Sequence, residues 1–206
     1  PAATTALPPE VARFQAYLRC RTVHPDPTPG YAEAGRLLAG WAEELGLAFR
    51  SLELAPGHPI YLMTWAGRDP AAPSIVLSSH MDVVPADPTR WTRDPWAAEV
   101  SDGKIWGRGT QDMKCVGMQY LEAIRRLRAG GYTPTRPVHV LWVPDEEVGG
   151  GRGMKLLLAH AIMGEVRPAL VLDEGLASPT DAFTVFYGER KIWWIKVRAE
   201  GPTGHG

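Results

Sequence analysis

The sequence predicts an α/β fold of three layers, in which helices cover both faces of a central mixed sheet. Three short apolar runs, at residues 74–80, 138–143 and 169–173, lack the alternation of a half-exposed strand and are typical of strands buried on both faces. Helical patterns separate these runs, and alternating strands and helices favour a layered architecture. With 45% hydrophobic and 22% charged residues, the composition is that of a globular domain, which excludes a disordered chain.

The individual elements follow from local signals along the chain. Pro8, Pro9 and Glu10 open a first helix, because proline and acidic residues favour the first turn. Gly46 ends a second helix, and Asp102-Gly103 is a typical hairpin turn. The pattern predicts helices at residues 31–45, 113–129 and 153–162, strands at 48–54, 60–65 and 191–200, and a hairpin at 98–106. In the longest helix, the residues predicted to face inward are Val116, Tyr120, Ile124 and Leu127.

Charge and cysteine content exclude several classes of protein. The 22 basic and 23 acidic residues give a net charge of −1, so the chain has no basic footprint for nucleic acid or an anionic membrane. Its apolar runs are shorter than the roughly 20 residues of a membrane helix. Cys20 and Cys115 are too few for a disulfide scaffold or a CxxC metal site. Free thiols, together with residues 1–9 that lack a secretory signal, lead us to expect a cytoplasmic protein.

Side chains that can bind metal follow each of the three apolar runs. His80 and Asp82 lie at the end of the first run, residues 145–147 (Asp-Glu-Glu) follow the second, and residues 173–174 (Asp-Glu) follow the third. Open α/β sheets bind ligands just beyond the carboxyl ends of their strands, so these side chains are predicted to meet. Asp112 joins them from a glycine-rich turn that opens the longest helix.

Several carboxylates gathered in one cleft repel one another and raise their own pKa values, unless cations lie among them. Imidazole and carboxylate ligands suit Zn²⁺, with cobalt or manganese as alternatives, and two such ions can share a bridging aspartate. Asp82 is predicted to accept the second N–H of His80 and so to fix the orientation of the ring. Glu146, directly before Glu147, is predicted to be the general base. Asp173 competes with Glu174 as the ligand after the third run.

Four motifs in this order resemble those of the dinuclear-zinc aminoacylase and carboxypeptidase family. They are SSHMDVVP at residues 78–85, GRGTQDMK at 107–114, EEVGG at 146–150 and DEG at 173–175. The phrases VPDEEVGG at 143–150 and PTDAFTVFY at 179–187 are closest to the aminoacylase branch, and Glu189-Arg190 followed by Trp193-Trp194 is also similar to it. The resemblance implies hydrolysis of N-acyl-L-amino acids to a carboxylate and a free amino acid.

The resemblance also implies a role for each site residue. His80 and Glu174 would bind one zinc, Glu147 would bind the other, and Asp112 would bridge the two. The peptide bond between Asp112 and Met113 is expected to be cis. Asp82 orients His80, and Glu146 carries the proton. In a homodimer, His205 would come from the neighbouring subunit to bind the substrate and stabilise the oxyanion.

The predicted organisation is a zinc-binding catalytic domain at residues 1–188, followed at 189–206 by the first strand of a truncated lid and dimerisation domain. The family's last zinc ligand is a histidine much further along, so we expect a C-terminal segment or fragment to supply it. Two alternatives stay open: a dipeptidase or exopeptidase of the same family, and a non-catalytic fragment that needs a C-terminal partner piece to complete the site.

Overall fold

The computed structural model describes residues 6–24, 26–182, 184–188, 191, 193–202 and 204. Contacts divide the chain into two compact units, Pro1–Glu174 and Gly175–Gly206. All the helices and strands of the described residues lie in the first unit. The domain boundary predicted between residues 188 and 189 stays a prediction.

The first unit contains a mixed five-stranded sheet in the order β1-β2-β6-β3-β7. Its central strand β6 pairs in parallel with β3 and antiparallel with β2, and β7 pairs in parallel with β3. A separate hairpin of β4 and β5 turns at Asp102 and Gly103, as predicted. The strands are β1 (Ala48–Ala55), β2 (His58–Trp65), β3 (Ser74–His80), β4 (Glu99–Ser101), β5 (Lys104–Trp106), β6 (Val138–Val143) and β7 (Pro168–Leu172).

Helices cover both faces of this sheet. One face packs against the three longer helices around Trp142, whose ring meets that of Tyr17 edge to face at 5.5 Å between centroids. The other face packs against two short helices through residues such as Leu157 and Ile162. The helices are α1 (Pro9–Arg19), α2 (Thr28–Glu44), α3 (Lys114–Ala129), α4 (Met154–Ala159) and α5 (Met163–Val166). The predicted three-layer α/β fold is therefore confirmed.

The inward face of α3 was only partly predicted. Leu127 is 46% exposed, whereas Met118 and Leu121 are buried together with the predicted Ile124. The reason is a close approach at Gly117, where an added Cβ would overlap the ring of Trp142 on β6. This contact rotates the buried face of α3 away from the stripe that apolar periodicity alone indicates.

Two strand predictions differ from the structure. The third apolar run forms β7, but β7 is the edge strand of the described sheet and all five of its residues are exposed, so its predicted burial on both faces is wrong. The strand predicted at residues 191–200 is also not observed, because the described residues of that segment pair with no strand. In the described part of the chain, no helix has the length and apolar character needed to cross a membrane.

Candidate metal centre

The candidate site lies where the parallel strands end. His80 is the last residue of β3 and pairs with Val143, the last residue of β6. The chain after β6 turns through Asp145 into a 3-10 helix at Glu146–Val148, and the chain after β7 reaches Glu174. Parallel pairing therefore brings three separate sequence segments to one edge of the sheet, as the strand-end argument predicts.

The ring of His80 is buried and held in one orientation. Its Nδ1 lies 2.9 Å from the main-chain carbonyl oxygen of Asp82, whereas the nearest carboxylate oxygen of Asp82 is 3.4 Å away. The carbonyl is the nearer acceptor and both neighbours of Nδ1 are acceptors, so Nδ1 carries a hydrogen and Nε2 faces the cluster. The sequence predicted that the carboxylate of Asp82 would hold this ring; the main chain of the same residue provides the shorter contact.

Three of the predicted ligands meet at Nε2 of His80. This atom lies 3.0 Å from Asp112 Oδ1 and 3.5 Å from Glu174 Oε2. One ligand atom from each of these three residues lies within 4.8 Å of the other two. One imidazole and two carboxylates are donors that a borderline divalent cation such as Zn²⁺ prefers, so the residues present fit a metal ion.

The charges of the cluster favour a positive charge at the ring of His80. Burial lowers the pKa of His80, but hydrogen bonds to Asp82 and Glu174 outweigh it and raise the pKa to about 11. Burial and the charge of Glu174 raise the pKa of Asp112. The hydrogen bond between Glu174 and His80 lowers the pKa of Glu174. The acids thus hold a proton on the ring, in the place where a cation would satisfy the same charges.

Glu147 and Glu146 lie beside this cluster. Glu147 is not among the three residues whose ligand atoms converge, but burial and the charge of Asp112 raise its pKa to about 7. Glu146 has a half-exposed side chain whose Oε2 lies 3.9 Å from His80 Nε2. Burial raises the pKa of Glu146, and the negative charges of Asp82 and Glu174 raise it further. Their roles as ligand and base stay predictions.

Asp82 organises the loop that carries both glutamates. Its carboxylate is fully buried: Oδ1 accepts the main-chain N–H of Glu146, and Oδ2 accepts that of Glu147, both at 3.0 Å. Burial alone would raise the pKa of Asp82, but His80 and these two N–H groups lower it overall. The ionised carboxylate therefore fixes the main chain of the two glutamates.

Two residues near the site have roles that the sequence does not predict, including Asp145, which the strand-end pattern includes among the side chains that can bind metal. Asp145 is buried with φ at +60°, and its Oδ2 accepts the N–H of Arg152 at 2.7 Å, which closes the turn around the glutamates. His24 approaches Asp82 from a loop 58 residues earlier in the chain, with Nε2 3.2 Å from Oδ2. No sequence signal marks either contact, because both depend on how distant segments pack.

The remaining predictions have mixed outcomes. The bond between Asp112 and Met113 is cis, as the resemblance implies. Glu174, and not Asp173, reaches His80, while Asp173 accepts the N–H of Glu174. His205 lies outside the described residues, so its predicted substrate contact stays a prediction.

Comparisons with known proteins agree with these motifs. The model of the family described as "Peptidase family M20/M25/M40" matches residues 76–197, which include the metal ligands predicted within this chain: His80, Asp112, Glu147 and Glu174. Aminoacylase-1 of Sus scrofa is 50% identical over 199 residues, and Aminoacylase-1 of Homo sapiens is 48% identical over 198 residues. Each match covers 96% of this chain and 48% of the relative, so the chain spans about half the length of these curated relatives.

Solved structures show the same fold. An M20 family metallo-carboxypeptidase from Sulfolobus solfataricus superposes with a TM-score of 0.72 at 24% identity, covering 82% of this chain and 38% of that one. Human carnosine dipeptidase 1 superposes with a TM-score of 0.66 at 21% identity, covering 80% and 37%. At these identities the likeness establishes the architecture alone.

Proposed function

This chain belongs to peptidase family M20/M25/M40, and from that membership we propose that it carries the metal-binding part of a hydrolase. The proposed reaction is cleavage of the amide bond of N-acyl-L-amino acids by water, which yields a carboxylate and a free amino acid. The observation that carries the proposal is the convergence of His80, Asp112 and Glu174 beside Glu146. The identity of about half to Aminoacylase-1 proteins supports the acyl-amino-acid substrate class.

The metal we propose is zinc, two ions per complete site. His80, Asp112 and Glu174 would hold one ion, and Asp112 with Glu147 would hold the other. When bound, such ions polarise a carbonyl group and make water a better nucleophile. The chain's own groups then do the remaining work.

Glu146 is suited to move the proton. Its carboxylate is half-exposed and therefore open to water and substrate, and its raised pKa brings it closer to neutrality than an ordinary glutamate. It would take a proton from the attacking water and return it to the nitrogen of the leaving amine. Asp82 accepts the main-chain N–H of Glu146 and so holds the segment from which this base extends.

Further parts of the proposal concern residues and partners beyond this cluster. We propose a cytoplasmic homodimer in which His205 of one subunit stabilises the oxyanion in the other, and a C-terminal segment that supplies the last zinc-binding histidine. The support is the resemblance of the sequence motifs, together with curated relatives about twice as long as this chain.

The experiment compares the wild type with Glu146→Gln on a panel of N-acetyl-L-amino acids and dipeptides. It uses this chain and any longer product of its gene, loaded with zinc. We expect the panel to favour N-acetyl amino acids, and the variant to lose about 10²–10⁴-fold in turnover while binding the same amount of zinc, because a general base contributes about that factor. Glu165→Gln, an exposed glutamate paired with Arg50, is the matched control and should keep full activity.

The outcomes of this experiment distinguish the proposed aminoacylase from the two alternatives and test the role of Glu146. Wild-type turnover in Glu146→Gln would remove Glu146 from the proton-transfer role. A preference for dipeptides would identify a dipeptidase in place of an aminoacylase. Binding of zinc without hydrolysis of any substrate would favour a non-catalytic fragment.

A further inference from the structure

We propose that His24 is a positioning residue of this site: it donates a hydrogen bond from Nε2 to Asp82 Oδ2 and thereby fixes the carboxylate that orders Glu146 and Glu147. The distance from Nε2 to Oδ2 is 3.2 Å. The inference rests on the proposed function for its effect on turnover, but its structural effect can be measured without any reaction.

The loop that carries His24 is locked beside Asp82. Residues 22–24 run parallel to residues 82–84, with a β-bridge between Val23 and Val83. The N–H of Val83 donates to the carbonyl of Thr22 at 3.1 Å, and the buried hydroxyl of Thr22 donates to the carbonyl of Met81 at 2.6 Å. These contacts place the main chain directly before His24 beside the segment that contains Asp82, and from there the side chain of His24 reaches Oδ2.

The direction of the bond follows from the other partners of Asp82. Oδ1 already accepts the N–H of Glu146, and Oδ2 accepts that of Glu147. A carboxylate in these contacts offers only lone pairs, so the ring nitrogen of His24 must supply the hydrogen. Oδ2 therefore accepts two donors, one from the glutamate loop and one from the loop before α2.

This second donor matters because the carboxylate torsion of an aspartate is soft. Rotation about the bond from Cβ to the carboxyl carbon has broad minima, so hydrogen-bond donors set the plane of the group. The two main-chain N–H donors of Asp82 both belong to the loop that the carboxylate holds, and His80 Nδ1 is farther from the carboxylate, at 3.4 Å from Oδ1. His24 is the donor from an independent segment, and it ties the carboxylate plane to the fold.

The surroundings of His24 allow it to be replaced. Its side chain is 16% exposed and borders an open cavity of about 760 Å³, also lined by Arg21, Glu33 and Trp96. A side chain of similar length can therefore take its place without overlap in a closed core. This makes His24→Gln, which keeps a donor, and His24→Leu, which removes it, a matched pair.

The test is amide hydrogen exchange in the ¹⁵N-labelled protein, followed by NMR. In His24→Leu, we expect the Glu146 and Glu147 amides to exchange about tenfold faster than in the wild type. A tenfold change corresponds to the low end of the free energy that a hydrogen bond to a charged group contributes. The amides of β6 should keep their rates, and His24→Gln should stay within about twofold of the wild type. His139→Leu is the reciprocal control: it removes a buried histidine of β6 whose side-chain partner is Thr64 at 2.9 Å, so it should speed exchange in β6 and leave Glu146 and Glu147 unchanged.

A turnover assay adds the functional readout. We expect kcat of His24→Leu to fall about tenfold with an unchanged KM, which is the size of loss typical when a residue that supports the site's own side chains is removed. His24→Gln should restore kcat. Unchanged exchange at Glu146 and Glu147 in His24→Leu would overturn the proposal, as would an acceleration of the β6 amides in His24→Leu equal to that at Glu146 and Glu147. Failure of the proposed function would look different: no variant would turn over substrate, while the exchange pattern would remain.

Discussion

Replacing Asp82 by asparagine tests how the glutamate loop is held. The substitution keeps the shape of the side chain but exchanges one acceptor oxygen for an NH₂ donor. In one amide orientation this donor faces the N–H of Glu146; in the other it faces the N–H of Glu147 and the ring of His24. Neither orientation satisfies all the partners that the carboxylate satisfies.

The size of the effect can be worked out from these contacts. At least one main-chain N–H of the loop loses its acceptor, and an unsatisfied polar group costs about 1–3 kcal/mol. The neutral amide is cheaper to bury than the fully buried carboxylate, which offsets part of this loss. We therefore expect Asp82→Asn to lower the free energy of unfolding by about 2 kcal/mol, within the range for one unsatisfied group.

The assay is urea unfolding followed by tryptophan fluorescence, with a chelator present so that metal binding does not contribute. For a urea slope of about 2 kcal/mol per molar, the midpoint should fall by about 1 M. Asp87→Asn is the matched control, because the exposed Asp87 caps a 3-10 helix by accepting the N–H of Thr89, a role that asparagine also fills. An Asp82→Asn midpoint equal to that of the control would refute this account of the loop.

Three further predictions concern packing, pH and metal. Gly117→Ala should destabilise the protein by about 1–3 kcal/mol, because its Cβ would overlap the ring of Trp142. Gly40→Ala, with open space at the same atom in α2, should stabilise it by about 0.5–1 kcal/mol, and urea midpoints compare the two. Burial raises the pKa of Cys20 from 9.0 to about 11, so the folded state keeps a proton that the unfolded state loses, and stability should fall as pH rises from 9 to 11. Unfolding midpoints across that window should show a smaller fall in Cys20→Ala; an unchanged slope would contradict the assignment. Glu174→Gln should weaken zinc binding by more than about 100-fold, because loss of a direct ligand should exceed the effect of losing a residue that only supports a ligand. Asp173→Asn should leave zinc affinity nearly unchanged, and isothermal titration calorimetry measures both.

The sequence predicts most of the fold because buried strands and helix faces require apolar residues at regular spacing. The runs that form β3 and β6 are apolar without alternation, and both strands are interior strands of the sheet. The run that forms β7 carries the same pattern but lies at an edge. The hydrophobic pattern of a strand indicates which of its faces can be buried. Which elements cover those faces depends on the rest of the fold.

The candidate site is predictable to the same degree. Parallel strands end at one edge, which is why His80 and Glu174, 94 residues apart, meet at 3.5 Å. The contacts that hold these groups are not predictable in this way. Whether the main chain or the side chain of Asp82 holds His80 depends on differences of half an ångström, and the approach of His24 depends on the register of two loops.

Burial divides the site into two layers with different consequences for substitution. His80 and Asp82 are almost fully buried, whereas the side chains of Asp112, Glu146 and Glu174 are between about two-fifths and three-fifths exposed. The exposed layer can meet water, ions and substrate, but its own contacts are too few to fix its position. The buried layer fixes it, since Asp82 holds the loop of Glu146 and β3 holds His80. Changes in the exposed layer should therefore alter metal binding or proton transfer at nearly constant stability, while changes in the buried layer should lower stability and activity together.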